Sequence, residues 1–230
     1  MRRNTRVLTT DAAGATIRRM AKGIVVTGGH APKAQVHLKA RADWTVVAAD
    51  SGLEWAHERG LRPDAIVGDM DSLRDRSLID RYPEAEVQRY PRAKDETDTE
   101  IGLSYVWDRG IRNVTLVGGG GGRLDHLIGV LRLFERDIAP QRWLTDNEDV
   151  WLITDSLVFH TQPGETLSFF AVGKDTATMK STGLRWNLDG LSWGRGDVGV
   201  SNEAVDRTVS VQMLSGRLLL VRELGAVVEL

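Results

Sequence analysis

From residue 23 to about 139 the chain alternates short apolar, β-branched runs with longer stretches of helical spacing. The runs "GIVVTGG", "WTVVAAD", "DAIVGD", "EVQRY" and "NVTLVGGG" read as strands, each followed by a helix or helix-like segment. Strands separated this way predict right-handed βαβ units and a parallel sheet covered on both faces. Within 123–136, Leu124, Leu127, Ile128 and Leu131 recur at i, i+3, i+4 and i+7, which predicts a helix packing that stripe on the sheet. Beyond about 140 the pattern changes to alternation, in "ETLSFFAV" and "TVSVQML", with turn signals at Pro163-Gly164, Asp189-Gly190 and Ser215-Gly216. The predicted fold is α/β: a Rossmann-like parallel-sheet domain over 20–139, then an all-β sandwich domain over 140–230. "RDIAPQRW" is the joint, near Ala139.

The first 19 residues carry a basic pair but no apolar stretch of a secretory signal, and read as a flexible extension. Met20, just before "AKGIVVTGG", is an alternative start. At 230 residues, two small domains with sizeable cores are affordable. Thirty basic against 32 acidic residues, a net charge of −2, create no field to attract nucleic acid or an anionic membrane. Apolar runs such as "LLLV" fall far short of the roughly 18 residues that span a bilayer. The absence of cysteine excludes disulfides, thiolate zinc sites and cysteine nucleophiles, and a cytoplasmic setting is the expectation.

Ligands of open α/β sheets bind beyond the carboxyl ends of the strands. Asp50, the pair Asp69 and Asp71 of "IVGDMDSL", Asp95 and Asp98, Gly118 to Gly122, and Asp125 all fall there. Two carboxylates about 4 Å apart repel by roughly 4 kcal/mol at an effective dielectric near 20, so such an edge calls for a cation. Oxygen donors alone favour Mg²⁺ or Mn²⁺, which is commonly held by one or two carboxylates and substrate phosphates. Each motif also has a purely structural reading. Asp69 and Asp71 suit a solvated turn capping a helix that starts near Ser72, and Thr97 with Glu100 suits a capping box with Asp98 in the first turn. The five glycines ahead of Arg123 suit a phosphate cradle at a helix N-terminus, or a mobile turn. They form neither a Walker A motif nor a dinucleotide fingerprint, since Arg123 stands where the last glycine of the latter would fall.

"AADSGLEWAHERGLRPDAIVGDMDSL", "YPRAKDETDTEIGL" and "GGGGGRLDHLIGVLRLF" resemble, in order and spacing, the catalytic blocks of thiamine pyrophosphokinases. "STGLRWNL", "VSNE" and "SGRLLLV" resemble that family's β-domain. The resemblance implies pyrophosphoryl transfer from ATP to the hydroxyethyl group of thiamine with Mg²⁺, by a homodimer that binds thiamine between one subunit's α/β domain and the other's sandwich. It implies Asp69, Asp71 and Asp98 as metal and polyphosphate carboxylates; the expected arrangement has Mg²⁺ bridging Asp71, Asp98 and the polyphosphate, with Asp69 completing or orienting the metal shell. Asp50 matches the acidic residue of the family's Asp-Gly-Gly turn, with Ser51 where the first glycine is usual. Gly119, Gly120, Gly121, Gly122 and Arg123 are the implied phosphate contacts, and Asp125 orients the site. Ser201, Asn202 and Trp186 are the implied thiamine residues. Competing expectations are a related pyrophosphokinase acting on a pterin-type hydroxyalkyl heterocycle, and a non-catalytic nucleotide or thiamine sensor. His30, His57 and His126 make no ligand pattern, and Trp193 reads as core or interface.

Overall fold

The computed structural model describes residues 21–37 and 44–230; the predicted N-terminal extension lies outside the described residues. Six parallel strands carry the first half: β1 (Lys22–Val26), β3 (Trp44–Ala49), β4 (Ala65–Gly68), β5 (Glu86–Arg89), β6 (Asn113–Val117) and β7 (Arg142–Leu144). They lie side by side as β7-β6-β1-β3-β4-β5. "IVV" of β1 and "VVAA" of β3 are buried throughout, as continuous apolar runs must be when both faces of a parallel sheet are covered.

α2 (Asp98–Asp108) covers one face, where Ile101, Leu103 and Val106 join Val25, Val47 and Val67. On the other face, α1 (Gly52–Glu58) and a 3₁₀ turn over Arg76–Arg81 set Leu53, Leu78 and Ile79 against Ala48 and Ile66. Among the described residues, β1 is followed not by a helix but by the short strand β2 (Gln35–His37), which pairs in parallel with β16 (Val227–Glu229), so the last strand folds back onto the first half; the rest of the predicted helical stretch, 38–43, lies outside the described residues.

α3 (Leu124–Leu133) forms where its stripe predicts, but the stripe does not face the sheet. Leu124, Ile128 and Leu131 are 69%, 50% and 41% exposed, and Val130 and Leu133 make the buried contact, with Leu127 partly buried beside them. Helical spacing identifies an apolar face without saying what covers it.

The second half is antiparallel. β8 (Glu148–Ile153), β15 (Arg217–Glu223), β10 (Thr166–Val172) and β13 (Val198–Glu203) extend the large sheet from β7, and β9 (Ser156–His160), β14 (Thr208–Ser215), β11 (Ala177–Thr182) and β12 (Ser192–Trp193) form a second sheet. Strict alternation in β14 points Val209, Val211 and Met213 inward, against Leu167, Phe169, Leu218 and Leu220 of the large sheet. The pairing turns antiparallel between β7 and β8 and not at Ala139, because β7, placed by its sequence in the second half, adds to the parallel sheet beside β6; the sheet itself runs straight through the change. Val150, Val172 and Leu219 share one core with Val25 and Val47.

Candidate functional site

Three chain segments deliver carboxylates to the carboxyl end of the parallel sheet. Asp50 leaves β3 in the left-handed region at φ 50°, its N–H donating to Val67 O at 2.9 Å. Ser51 itself is right-handed at φ −62°, so the missing glycine of the resembled turn does not alter the backbone here. Asp69 leaves β4 and closes a turn by accepting from the Asp71 N–H at 2.9 Å; Met70 between them has φ 60° and is buried. Asp98 is the first residue of α2, and the predicted capping box of Thr97 and Glu100 is formed. The structural and chemical readings of "KDETDTE" therefore both hold, because the cap fixes the turn that presents Asp98. Gly68 makes room: at φ 130°, a Cβ there would stand 3.0 Å from Asp98 Oδ1 and 3.3 Å from Asp50 Cβ.

Asp50, Asp69 and Asp98 each place a carboxylate oxygen within 4.8 Å of the others. Burial, reinforced by Asp50 and Asp69, holds the Asp98 carboxyl above its ordinary pKa even though Lys94 pulls it down. Asp50 Oδ1 is buried with no hydrogen-bond donor among the described residues. Lys94 Nζ lies 3.1 Å from Asp98 Oδ1, at an angle outside hydrogen-bond geometry, and 3.7 Å from Asp69 Oδ2. Asp71 stands apart, on the exposed side, with Arg76 Nη2 at 3.0 Å and Arg92 Nη1 at 3.9 Å. The spacing in "GDMD" sends alternate carboxylates in different directions, and Asp50 from the neighbouring strand takes the third place. The predicted cap near Ser72 is also displaced: Asp75 caps the 3₁₀ turn, accepting from Ser77 N at 2.9 Å and Ser77 Oγ at 2.6 Å.

Beside the trio opens a cleft of about 590 Å³, bordered by Thr27–Gly29, Asp50, Lys94, Asp98, Gly119, Asp125 and Arg136 among others. It lies where β1 sends the chain to β3 on one side while β6 returns on the other, the switch point at which open α/β sheets bind ligands. The glycine loop after β6 is shaped first by the protein's own chain. The N–H groups of Gly118, Gly119 and Gly120 donate to Leu144 O, Gly28 O and His30 O, so they are not the bare donors predicted. Among the described residues, the N–H groups of Gly121 and Gly122 have no such acceptor. At Gly118, φ is 91° and a Cβ would lie 2.3 Å from Thr27 O, a backbone atom that cannot swing aside. Gly118→Ala is expected to lose about 1–3 kcal/mol of stability, measured by urea unfolding, for a strained φ alone.

Arg123 does not point into the cleft. Its guanidinium grips Asp125, Nε to Oδ1 at 3.1 Å and Nη2 to Oδ2 at 2.5 Å, and this hydrogen bonding holds the Asp125 carboxyl below its ordinary pKa. Asp125 and His126 border the cleft at the start of α3.

Ser201, Asn202 and Trp186 are brought together, but far away. Asn202 is buried and its amide is engaged at both ends, donating to Trp186 O at 2.7 Å and accepting from Trp186 N at 3.3 Å and Glu203 N at 2.8 Å. It holds the Trp186 backbone rather than offering itself to a ligand. Trp186 is 57% exposed, with the Arg185 guanidinium 5.8 Å from its ring, and Ser201 is exposed at φ 59°. These residues sit on or beside edge strand β13, seven strand spacings from β3, roughly 34 Å along the sheet at about 4.8 Å per spacing.

Sequence reasoning missed Lys94, Arg92, Arg132 and Arg136, which line the cleft as cations, and the pair Thr27 and Thr99, whose hydroxyls meet at 2.6 Å at its floor. Lys94 had a signal, an i,i+4 relation to Asp98 across a cap. His30 is structural: its backbone pairs with Gly120 and its ring lies 3.4 Å from Asp146. His57 Nδ1 lies 2.7 Å from the Tyr82 hydroxyl.

The chain matches two family models, the catalytic domain of thiamin pyrophosphokinase over residues 36–141 and its vitamin B1 binding domain over 156–218. It is 28% identical over 165 residues to thiamine pyrophosphokinase 1 of Oryza sativa subsp. japonica, covering 65% of this chain and 62% of the rice protein. It is 22% identical over 184 residues to thiamine pyrophosphokinase of Bacillus subtilis (strain 168), covering 76% of this chain and 86% of that one. The chain thus spans about three fifths of the rice relative's length. In structure it is similar to thiamine pyrophosphokinase from Bacillus subtilis, with a TM-score of 0.73 at 19% identity over 89% of this chain and 99% of that one.

Proposed function

Because the chain belongs to the thiamine pyrophosphokinase family, we propose that it transfers the pyrophosphoryl group of ATP to the hydroxyethyl oxygen of thiamine, giving thiamine diphosphate and AMP. The observation that carries the proposal is the meeting of Asp50, Asp69 and Asp98 at the mouth of a cation-lined cleft at the sheet's switch point. The large sheet and its helices then serve as the Rossmann-like nucleotide half, and the two facing sheets as the sandwich half.

The donor set fits Mg²⁺. It offers hard oxygens only, and the orphaned, buried Asp50 Oδ1 is an acceptor that a cation would satisfy. Asp50, Asp69 and Asp98 would hold the ion, and Asp71 would join them only by leaving Arg76. When bound, the ion neutralises charge on the polyphosphate. The protein's own groups do the rest. Of the glycine loop only Gly119 borders the cleft, and the start of α3 at Asp125 and His126 adds the positive end of a helix for anionic oxygens, while Arg92, Arg132 and Arg136 ring the cleft. The hydroxyethyl oxygen bonds to the β-phosphorus as the bridge to the α-phosphorus breaks, AMP keeps the bridging oxygen, and the hydroxyl proton passes to solvent. Such a transfer depends on alignment and charge neutralisation, and needs no nucleophilic side chain.

Ser201 and the Trp186 ring form the thiamine platform in this proposal, with Asn202 as the residue that positions Trp186. They lie seven strand spacings from β3, roughly 34 Å along the sheet, and in this proposal they serve the site of another copy. A homodimer allows this: a second copy seated on the exposed stripe of Leu124, Ile128 and Leu131, which runs along the helix bordering the cleft, would bring its β13 edge over that cleft. The exposed Val198 and Val200 of that edge also need a cover. A cytoplasmic setting, where ATP is abundant, is part of the proposal; among the described residues no helix is long and apolar enough to cross a membrane.

Incubation with ATP, Mg²⁺ and each acceptor tests the reaction. AMP is expected with thiamine. AMP with a hydroxymethyl pterin alone would reassign the acceptor, ADP would reject pyrophosphoryl transfer, and calorimetric binding of thiamine without any product would make the protein a sensor.

A further inference from the structure

Lys94 occupies a position that neither the fold nor the phosphate-binding reading requires. It lies in the loop between β5 and α2, its side chain is only 13% exposed, and its Nζ donates to Pro91 O at 3.3 Å. The same nitrogen faces two of the three converging carboxylates, Asp98 at 3.1 Å and Asp69 at 3.7 Å. Arg92 and Arg76, the nearest other cations on these segments, engage Asp71 instead. Three carboxylates within 4.8 Å of one another are therefore held against a single ammonium on a flexible stem. The third, Asp50, keeps an oxygen that no donor among the described residues reaches.

We propose that Lys94 is a tethered counter-ion that assembles the acidic trio before a divalent cation arrives and couples the binding of that cation to the binding of polyphosphate. The inference rests on the reading of Asp50, Asp69 and Asp98 as the metal carboxylates. A divalent ion entering among them meets the ammonium charge a few ångströms away, and like charges at that range repel appreciably even near a protein surface. Metal alone is consequently held weakly. Polyphosphate in the cleft offers the ammonium a new anionic partner, and the four-carbon stem allows it to turn there without moving the backbone. The carboxylates are then released to the metal, so metal and nucleotide load together. The rigid, broader guanidinium of arginine keeps the charge but not the compact reach.

Mn²⁺ binding to the full chain, followed by electron paramagnetic resonance with and without a non-hydrolysable α,β-methylene ATP, tests this. The native protein is expected to bind Mn²⁺ weakly alone and much more tightly with the nucleotide analogue. Lys94→Met is expected to bind Mn²⁺ alone at least about tenfold more tightly than the native chain, with the nucleotide's enhancement reduced by a similar factor. Lys94→Gln keeps a polar head should methionine impair folding, and is expected to behave likewise. Lys94→Arg keeps the weak binding of free metal. A merely structural lysine would lower the melting temperature without tightening Mn²⁺. Equal or weaker Mn²⁺ binding by Lys94→Met and Lys94→Gln overturns the inference and leaves the metal site standing. Absence of Mn²⁺ binding in every variant, even with nucleotide, overturns the metal site as well.

Discussion

Asp98→Asn is expected to leave the protein folded and lower turnover at least about a hundredfold, a loss of about 2.7 kcal/mol of transition-state stabilisation. An amide keeps the size of the side chain but removes the charge that draws a cation and offers one acceptor where there were two. The fold should survive because the helix terminus rests on the capping box of Thr97 and Glu100, not on Asp98. Loss of an acidic group from the first turn costs about 0.3–1 kcal/mol, and relief of repulsion with Asp50 and Asp69 offsets part of it. Rate of AMP release and a thermal melt check the two halves of the expectation. Companion variants separate two arrangements of the site. The spacing of "GDMD" makes Asp71→Asn as severe as Asp98→Asn, whereas the geometry makes Asp50→Asn the severe one and Asp71→Asn the milder. Near-native turnover by Asp98→Asn would remove the acidic trio from the mechanism altogether.

Two inactive variants are expected to restore each other. Trp186→Arg removes the exposed ring and sets a second cation beside Arg185, where a cationic thiazolium would have to lie; the ring is exposed, so the fold should not suffer. If each site takes its acidic trio from one copy and its Trp186 from the other, a heterodimer of Asp98→Asn with Trp186→Arg contains one site with both native halves and one with both lesions. Random reassociation of the two should then recover about a quarter of native activity. Were a single chain to build the whole site, the mixture would show no more than the mean of the two inactive proteins. The predicted gain is large because it depends on which chain supplies a group, not on how strongly that group acts.

The sheet's strands were legible because a doubly covered parallel strand must be apolar along its whole length, and "IVV" and "VVAA" are. The capping box was legible because a cap is local: Thr97 and Glu100 satisfy each other across one turn. Asp98 was legible for the same reason, since its place is set by that turn. Other parts of the site were not. Asp50 and Asp69 follow different strands, and only the parallel register of β3 and β4 decides that these two meet while Asp71 does not. The glycine loop announced a close approach, but the approaching atoms are Thr27 O, His30 and Asp146, brought by strands and loops distant in sequence. The stripe on α3 was read correctly as a face and wrongly as buried against the sheet, because periodicity is blind to what lies opposite.

By itself the sequence determined the class of the fold, the presence of an alternating, strand-rich second half, the oxygen-rich chemistry of one sheet edge and the resemblance to one family. These are properties of composition, period and local turn chemistry, each settled within a few residues along the chain. Tertiary structure alone decided that one sheet and one core cross the joint, that Asp50 completes the trio, that Lys94 supplies its counter-charge, and that the β13 edge with Ser201 lies seven strand spacings from β3. Each of those is a distance between segments remote in sequence, and such distances are set by strand order and register.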